Sequence, residues 1–144
     1  MKLSYSETKF ANLWIENDIL FIKCLPNTVI TRKAAEEIIS ERIKITRGNF
    51  YPVFMDIRNV KYITMDARNC MKQTEGLQYV SAYAFLFDSH VHNILINYFL
   101  TFKPIALPTK PVSKKEQALS WLENYKTNIV ANSKVNFAHK EFVA

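Results

Sequence analysis

The sequence predicts an α/β fold in which an N-terminal β-hairpin precedes alternating strands and helices, with a mixed sheet of about five strands and about four helices. Asn17 and Asp18 separate two apolar runs, as the turn of a hairpin does. The near-continuous apolar run Tyr51–Ile57 indicates a strand buried on both faces, and hence a central position. A second such run, Val80–Phe87, follows a helical segment, and this order is typical of a parallel βαβ unit.

Two helix starts are predicted from threonines that can cap a helix. Thr31 precedes residues 32–45, where apolar side chains recur at helical spacing, so one helix face is expected to pack on the sheet. Acidic residues come early in this segment and basic residues late, as the helix dipole prefers. Thr64 opens a second helix, which is expected to end near Gly76 to Tyr79.

Three further elements are predicted in the C-terminal half. Ser89 is expected to cap a helix that runs through about Phe102, because apolar residues recur there at intervals of three and four. Ile105–Leu107 lies between two prolines, which favours a short edge strand. Ser113–Glu116 matches a capping box and predicts the start of the last helix.

The periodic pattern predicts one domain between two tails. The 144 residues, of which 49% are hydrophobic, are enough to bury a sizeable core. Residues 13–125 are expected to form this domain, with residues 1–12 as an N-terminal tail. Residues 126–144 are expected to form a C-terminal extension, because their apolar residues show no regular period.

Composition excludes several classes of function. The two glycines, Gly48 and Gly76, are too few for a glycine-rich phosphate loop, and no cofactor is expected. The net charge is +6, but basic residues are spread among acids, so no nucleic-acid partner is expected. Cys24 and Cys70 are too few for a disulfide framework, and no apolar run is long enough to insert into a membrane. A cytoplasmic protein is therefore expected.

The segment that follows the central strand is the candidate partner-binding region. It runs from Arg58 to Arg68, with the Pro26–Thr31 loop beside it. Thr64 and Asp66 are the candidate switch residues, with Thr64 open to phosphorylation and Asp66 supplying a fixed negative charge. Both also fit a purely local role, Thr64 as N-cap and Asp66 at the positive end of the helix dipole.

The polar group at the end of the central strand has two interpretations. Arg58 and Asn59 follow Asp56 directly, at the carboxyl end of a strand where α/β sheets usually carry their sites. These residues either contact a ligand or partner, or pair with one another and close the loop. The sequence alone leaves both interpretations open.

The predicted 89–102 helix carries an apolar stripe that is typical of a core face. Two alternatives are the wall of a lipid pocket and a face for homodimer formation. The candidate pocket residues are Leu95, Tyr98, Phe99, Phe102 and Trp121.

Residues that could carry metal binding or catalysis do not form a recognisable set. His90 and His92 are two apart on a predicted helix and point to different sides, and His139 lies in the tail. Ser89 has no base placed to activate it, so capping explains it more simply. Neither a metal site nor an enzyme is expected.

The order of these elements resembles the STAS domain of sulfate transporters and anti-sigma factor antagonists, and more closely the small bacterial STAS/SEC14-like proteins of mostly unassigned role. The resemblance spans about residues 13–125. The segments that carry it are Tyr51–Asn59, Ser81–Ser89, Asn97–Leu100, Leu107–Lys110 and Glu116–Leu122. Each segment is unspecific alone, and their order and spacing carry the comparison.

The resemblance implies a regulatory protein that acts through contact with a protein partner. In anti-sigma factor antagonists, a serine at the start of the helix after the central strand is phosphorylated. Here Asp66 falls at or next to that position and Thr64 is the only nearby hydroxyl, so the serine switch is absent in its usual form. A non-enzymatic regulatory or scaffold domain with an unidentified protein partner is expected. The alternative is a carrier of a small apolar ligand or lipid.

Overall fold

The computed structural model describes residues 5–88 and 106–126. Its strands are β1 (Tyr5–Glu7), β2 (Ala11–Glu16), β3 (Ile19–Cys24), β4 (Val29–Ile30), β5 (Tyr51–Asp56), β6 (Tyr62–Ile63), β7 (Val80–Leu86) and β8 (Thr109–Val112). Its helices are α1 (Arg32–Thr46), α2 (Met65–Cys70), α3 (Thr74–Leu77) and α4 (Lys115–Leu122), and the 3₁₀ turn Glu123–Tyr125 follows α4.

The described strands form one mixed six-stranded sheet and a separate two-stranded ribbon. The sheet order is β1-β2-β3-β5-β7-β8, with β1, β2 and β3 antiparallel and the rest parallel. Strands β4 and β6 pair in parallel as the ribbon. The α/β class and the parallel centre are as predicted, and every residue of β7 is buried.

The predicted hairpin is present, and its turn explains its register. Asn17 and Asp18 have φ angles of 51° and 61°, as a two-residue type I′ turn requires. Glu16 therefore lies opposite Ile19. Asparagine and aspartate adopt this left-handed conformation more readily than most residues, so the turn sequence itself selects the pairing.

The sheet separates two apolar cores. Alternation along β3 places Leu20 and Ile22 on one face, against α1 and α2, and Phe21 on the other. Ala118 and Leu122 of α4 pack on the Phe21 face and are fully buried. Helices on both faces leave the carboxyl ends of the central strands and the loops beyond them as the place for a site.

Helix α1 begins as predicted. The Oγ1 of Thr31 accepts a hydrogen bond from the backbone N–H of Ala34 at 3.2 Å. The helix ends where Arg47 and Gly48 turn left-handed, with φ of 50° and 80°.

The single helix predicted from Thr64 to about residue 77 is wrong, because α2 and α3 are separate. Helix α2 ends at Cys70, and α3 begins after Gln73 and packs back against that end. A Cβ at Gly76 would lie 2.5 Å from the carbonyl oxygen of Met71, so only glycine allows this close approach. Because α2 and α3 are separate, backbone carbonyls in and just after α3 lie close enough to α1 to accept hydrogen bonds from it.

Three predictions at the ends of the domain need correction. Residues 5–7 form β1 within the segment expected to be a tail, and β1 pairs with β2. Of the predicted strand Ile105–Leu107, Ala106 and Leu107 are not in a strand, and Ile105 lies outside the described ranges. The described C-terminal edge strand is Thr109–Val112, and it pairs with β7. It includes Pro111, which an edge strand tolerates because one side of it needs no N–H donor. The capping box is absent, since Lys114 is the N-cap residue and makes no side-chain cap bond.

Several predicted features lie outside the described residues. They are the 89–102 helix with Ser89, the three histidines, and the C-terminal extension beyond Lys126.

Candidate functional site

The loop after β5 and the loop before α1 are joined into one platform. The backbone N–H of Asn27 donates to the carbonyl of Asn59 at 2.8 Å, and that of Lys61 donates to the carbonyl of Thr28 at 2.9 Å. Between them Val29 lies opposite Tyr62 in the β4–β6 ribbon. The two segments named from the sequence as a candidate surface are therefore neighbours, held by backbone hydrogen bonds.

This platform exposes large apolar side chains. Val29, Tyr62 and Met65 are 40%, 44% and 48% exposed. The adjacent ribbon residues Ile30 and Ile63 are buried in the core, because successive strand side chains point to opposite sides. The exposed side chains of residues 26–31 and 58–66 are called the ribbon surface below.

The apolar part of the ribbon surface was not predicted from the sequence. Tyr62 and Ile63 are adjacent, as are Val29 and Ile30, and each pair would be taken as two core residues. In a strand, successive side chains point to opposite sides, and this alternation could have marked one residue of each pair as exposed. Strands of two residues are too short for the alternation to be recognised in the sequence.

Thr64 and Asp66 occupy the start of α2. The Oγ1 of Thr64 accepts a hydrogen bond from the N–H of Ala67 at 3.2 Å, so Thr64 is the N-cap. Asp66 is exposed in the first turn, where the helix dipole favours a negative charge. The local roles are thus present, and both residues lie within the 58–66 segment of the ribbon surface. Arg68 lies half-buried one turn further on.

Asp56 and Arg58 pair with each other and close the loop after β5. The guanidinium of Arg58 donates to both carboxylate oxygens of Asp56, from Nε at 3.0 Å and from Nη2 at 2.8 Å. The Arg58 backbone N–H donates to the same carboxylate at 3.1 Å. The hydrogen bonds to Asp56 raise the pKa of Arg58. This bidentate pair fixes the direction in which the chain leaves the sheet.

A small cavity lies between the sheet, α1 and α2. Its volume is about 40 Å³. The lining residues are Ile22, Ile30, Ala35, Ile38, Ile39, Arg42, Met55, Ile57, Ile63, Ala67, Arg68, Met71, Tyr83 and Phe85. The apolar pocket offered from the sequence as an alternative to a core face is at the 89–102 helix, whose residues Leu95, Tyr98, Phe99 and Phe102 are outside the described ranges. Trp121 packs against the α4 side of the sheet, and its ring centroid lies 4.8 Å from that of Tyr125.

The two thiols are poorly suited to nucleophilic chemistry. Burial, with a smaller contribution from Asp56, raises the pKa of Cys24 to about 12. Burial also raises the pKa of Cys70, with Glu36 adding to the effect. Both side chains therefore stay protonated at neutral pH, and a thiol is a weak nucleophile compared with a thiolate.

Within residues 5–88 and 106–126, no group of three histidine, cysteine, aspartate or glutamate side chains is placed to hold a metal ion. No helix in the same ranges is long and apolar enough to cross a membrane.

Comparison with solved structures shows a SpoIIAA-like fold. An uncharacterized protein of the DUF3478 family with a SpoIIAA-like fold, from Shewanella loihica PV-4, superposes with a TM-score of 0.54 at 15% identity, over 83% of this chain and 99% of that one. The anti-sigma factor antagonist SpoIIAA in its unphosphorylated form gives a TM-score of 0.44 at 10% identity, over 83% of this chain and 98% of that one. The STAS-like order inferred from the sequence is confirmed at the level of the fold.

No curated protein matches the chain by sequence. A family model described as a domain of unknown function, DUF7793, matches residues 13–126. These residues are most of the chain and include both the ribbon surface and the cavity. The chain belongs to the DUF7793 family.

Proposed function

We propose that the chain is a non-enzymatic regulatory or scaffold domain that binds another protein through the ribbon surface. One observation carries the proposal. Over the described residues, four large apolar side chains are markedly exposed, and three of them, Val29, Tyr62 and Met65, lie together on this surface. Clustered apolar exposure costs free energy in water, and it is typical of surfaces that another molecule covers.

The surroundings of this apolar cluster fit a protein interface. Tyrosine and methionine are enriched at interfaces, where they supply large contact areas. Exposed Lys61 and Asp66 border the cluster, as polar residues border the rim of an interface. The paired loops and the Asp56–Arg58 bridge hold the surface in one shape, which reduces the entropy lost on binding.

Charge at the start of α2 is the proposed regulator of this contact. Thr64 is partly exposed and stands at the positive end of a helix beside Met65. A phosphate there would gain from the helix N–H groups, and it would add a charge of about −2 next to an apolar contact. Phosphorylation of Thr64 would thereby weaken the binding of a protein partner that covers Met65.

The proposal is tested by charge reversal at Asp66 in a pull-down from native lysate. Asp66→Arg is expected to reduce retention of a specific partner by about tenfold or more, because it places a wrong charge at the rim of the interface. Glu116→Arg is the matched control, since Glu116 is also an exposed acid in the first turn of a helix but lies on the α4 side of the sheet. Both changes weaken a helix start equally.

Three outcomes separate the alternatives in this pull-down. Loss of a protein with Asp66→Arg but not with Glu116→Arg supports the ribbon surface as the binding site. Equal retention by both variants places the interface elsewhere and contradicts the proposal. A Thr64→Glu bait that retains as much partner as the wild type contradicts regulation at Thr64.

A further inference from the structure

Arg42 is a buried cation whose charge no described carboxylate balances. Its side chain comes from α1 and is 1% exposed. Nη1 donates to the carbonyl of Gln78 at 2.6 Å, and Nη2 donates to the carbonyl of Glu75 at 2.8 Å. Nε is buried without a hydrogen-bond partner, and no ion pair within residues 5–88 and 106–126 includes Arg42.

This arrangement is costly for the protein alone. A guanidinium stays protonated at any physiological pH, so burial cannot neutralise it. Carbonyl dipoles satisfy two of its donors, but they supply only part of the negative charge that a buried cation needs. An anion beside Arg42 would supply the rest.

The same side chain lines the cavity between the sheet, α1 and α2. Apart from Arg68 and Tyr83, the remaining lining residues are apolar, with Ile38 and Ile39 on the helix side and Phe85 on the sheet side. Every lining residue is buried except Arg68 and Met71, so these two partly exposed side chains are the lining residues through which a ligand is expected to enter. Both are long and flexible, and they can move without displacing the backbone.

We propose that this cavity binds a small organic acid with an apolar body, whose carboxylate is held by Arg42. The walls favour a small aliphatic group and disfavour inorganic phosphate, which would be left without donors on most sides. The cationic wall favours a carboxylate over a neutral hydrocarbon. A volume of about 40 Å³ accepts about three water-sized groups, which limits the whole ligand to about the size of acetate, a carboxylate with a methyl group as its apolar body.

The cavity lies beneath α2, on the side opposite the exposed residues Met65 and Asp66. Ala67 lines the cavity from this helix and is buried. The proposed acid site therefore stands on its own observations, and it does not depend on whether a protein covers the ribbon surface.

The test uses acetate and acetamide, which have nearly the same shape and differ in charge. NMR spectra of the full chain with labelled isoleucine methyl groups report on Ile22, Ile38, Ile39 and Ile57 within the cavity. Acetate is expected to shift these resonances with saturation, and acetamide to bind about tenfold or more weakly, as the loss of a charged hydrogen bond implies.

Two variants keep the test informative if one of them folds poorly. Arg42→Met is expected to lose most of the preference for the acid over the amide, because the half-buried Arg68 is then the remaining cation among the described lining residues. Ala35→Leu fills the cavity without altering Arg42 and is expected to abolish the shifts from both ligands. Equal binding of acid and amide by the wild type would overturn the proposal. Shifts confined to residues outside the cavity, or no shift at saturating acetate, would overturn it as well.

Discussion

Replacing Gly76 with alanine is expected to lower the free energy of unfolding by about 2 kcal/mol. The new Cβ would lie 2.5 Å from the carbonyl oxygen of Met71 and 2.7 Å from that of Cys70, and both are backbone atoms. Relief requires α3 to move away from the end of α2. Such overpacking costs about 1–3 kcal/mol, and the better helix propensity of alanine returns about 1 kcal/mol at most.

Gly48→Ala is the matched control for this effect. Gly48 has φ of 80°, and a Cβ added there would meet no heavy atom within 4 Å, so the substitution adds backbone strain without a clash. A cost of about 1 kcal/mol is expected. Urea denaturation of both variants provides the measurement. If Gly76→Ala is no less stable than Gly48→Ala, the close contact between α2 and α3 is contradicted.

Arg42→Met is expected to lower the free energy of unfolding by about 2 kcal/mol. The change removes two charge-assisted hydrogen bonds, to the carbonyls of Glu75 and Gln78, which join α1 to α3. Methionine fills much of the same volume and relieves the burial of a charge. The net loss is therefore smaller than the sum of two such bonds, each about 1.5–3 kcal/mol.

Arg32→Met tests whether this loss is specific to burial. Arg32 is on the same helix, and its guanidinium lies 3.7 Å from the Glu36 carboxylate with both side chains about half exposed. A loss of about 0.5 kcal/mol or less is expected from such an exposed i,i+4 pair. The stability losses of Arg42→Met and Arg32→Met are compared by thermal unfolding. Equal destabilisation by the two changes would contradict the structural role of Arg42.

Much of the fold could be predicted because local chemistry agrees with tertiary structure there. Asn17 and Asp18 select a turn that closes a hairpin whichever sheet the hairpin joins. Thr31 and Thr64 each cap a helix through their own hydroxyl, which needs no distant residue. The long apolar runs of β5 and β7 are typical of strands that are buried on both faces, and such strands lie at the centre of a sheet.

The features that were missed depend on distant contacts or on very short segments. Strand β1 has three residues, and its order comes from pairing with β2 rather than from its own composition. The helix breaks after Cys70 because α3 packs against α2. The sequence pattern is helical throughout this segment and therefore does not reveal the break. The edge strand at residues 109–112 contains a proline and resembles a loop when its sequence is taken in isolation.

The candidate site was predicted in its polar half only. Thr64 and Asp66 were identified because capping residues have a local signature. Tyr62 and Met65 were not identified, because exposure depends on what the rest of the chain leaves uncovered. The burial of Arg42 could not be predicted either, since an arginine in an amphipathic helix is ordinarily assigned to the solvent side.

The contact between the ribbon surface and a protein partner is tested most directly by photo-crosslinking in the native cell. A benzophenone amino acid replaces Tyr62 in one variant and Tyr5 in the other, because the two tyrosines are 44% and 46% exposed and only Tyr62 lies on the ribbon surface. We expect a discrete adduct of higher mass from position 62 and none from position 5. No adduct from position 62, or the same adduct from both positions, would contradict a partner-binding role for this surface.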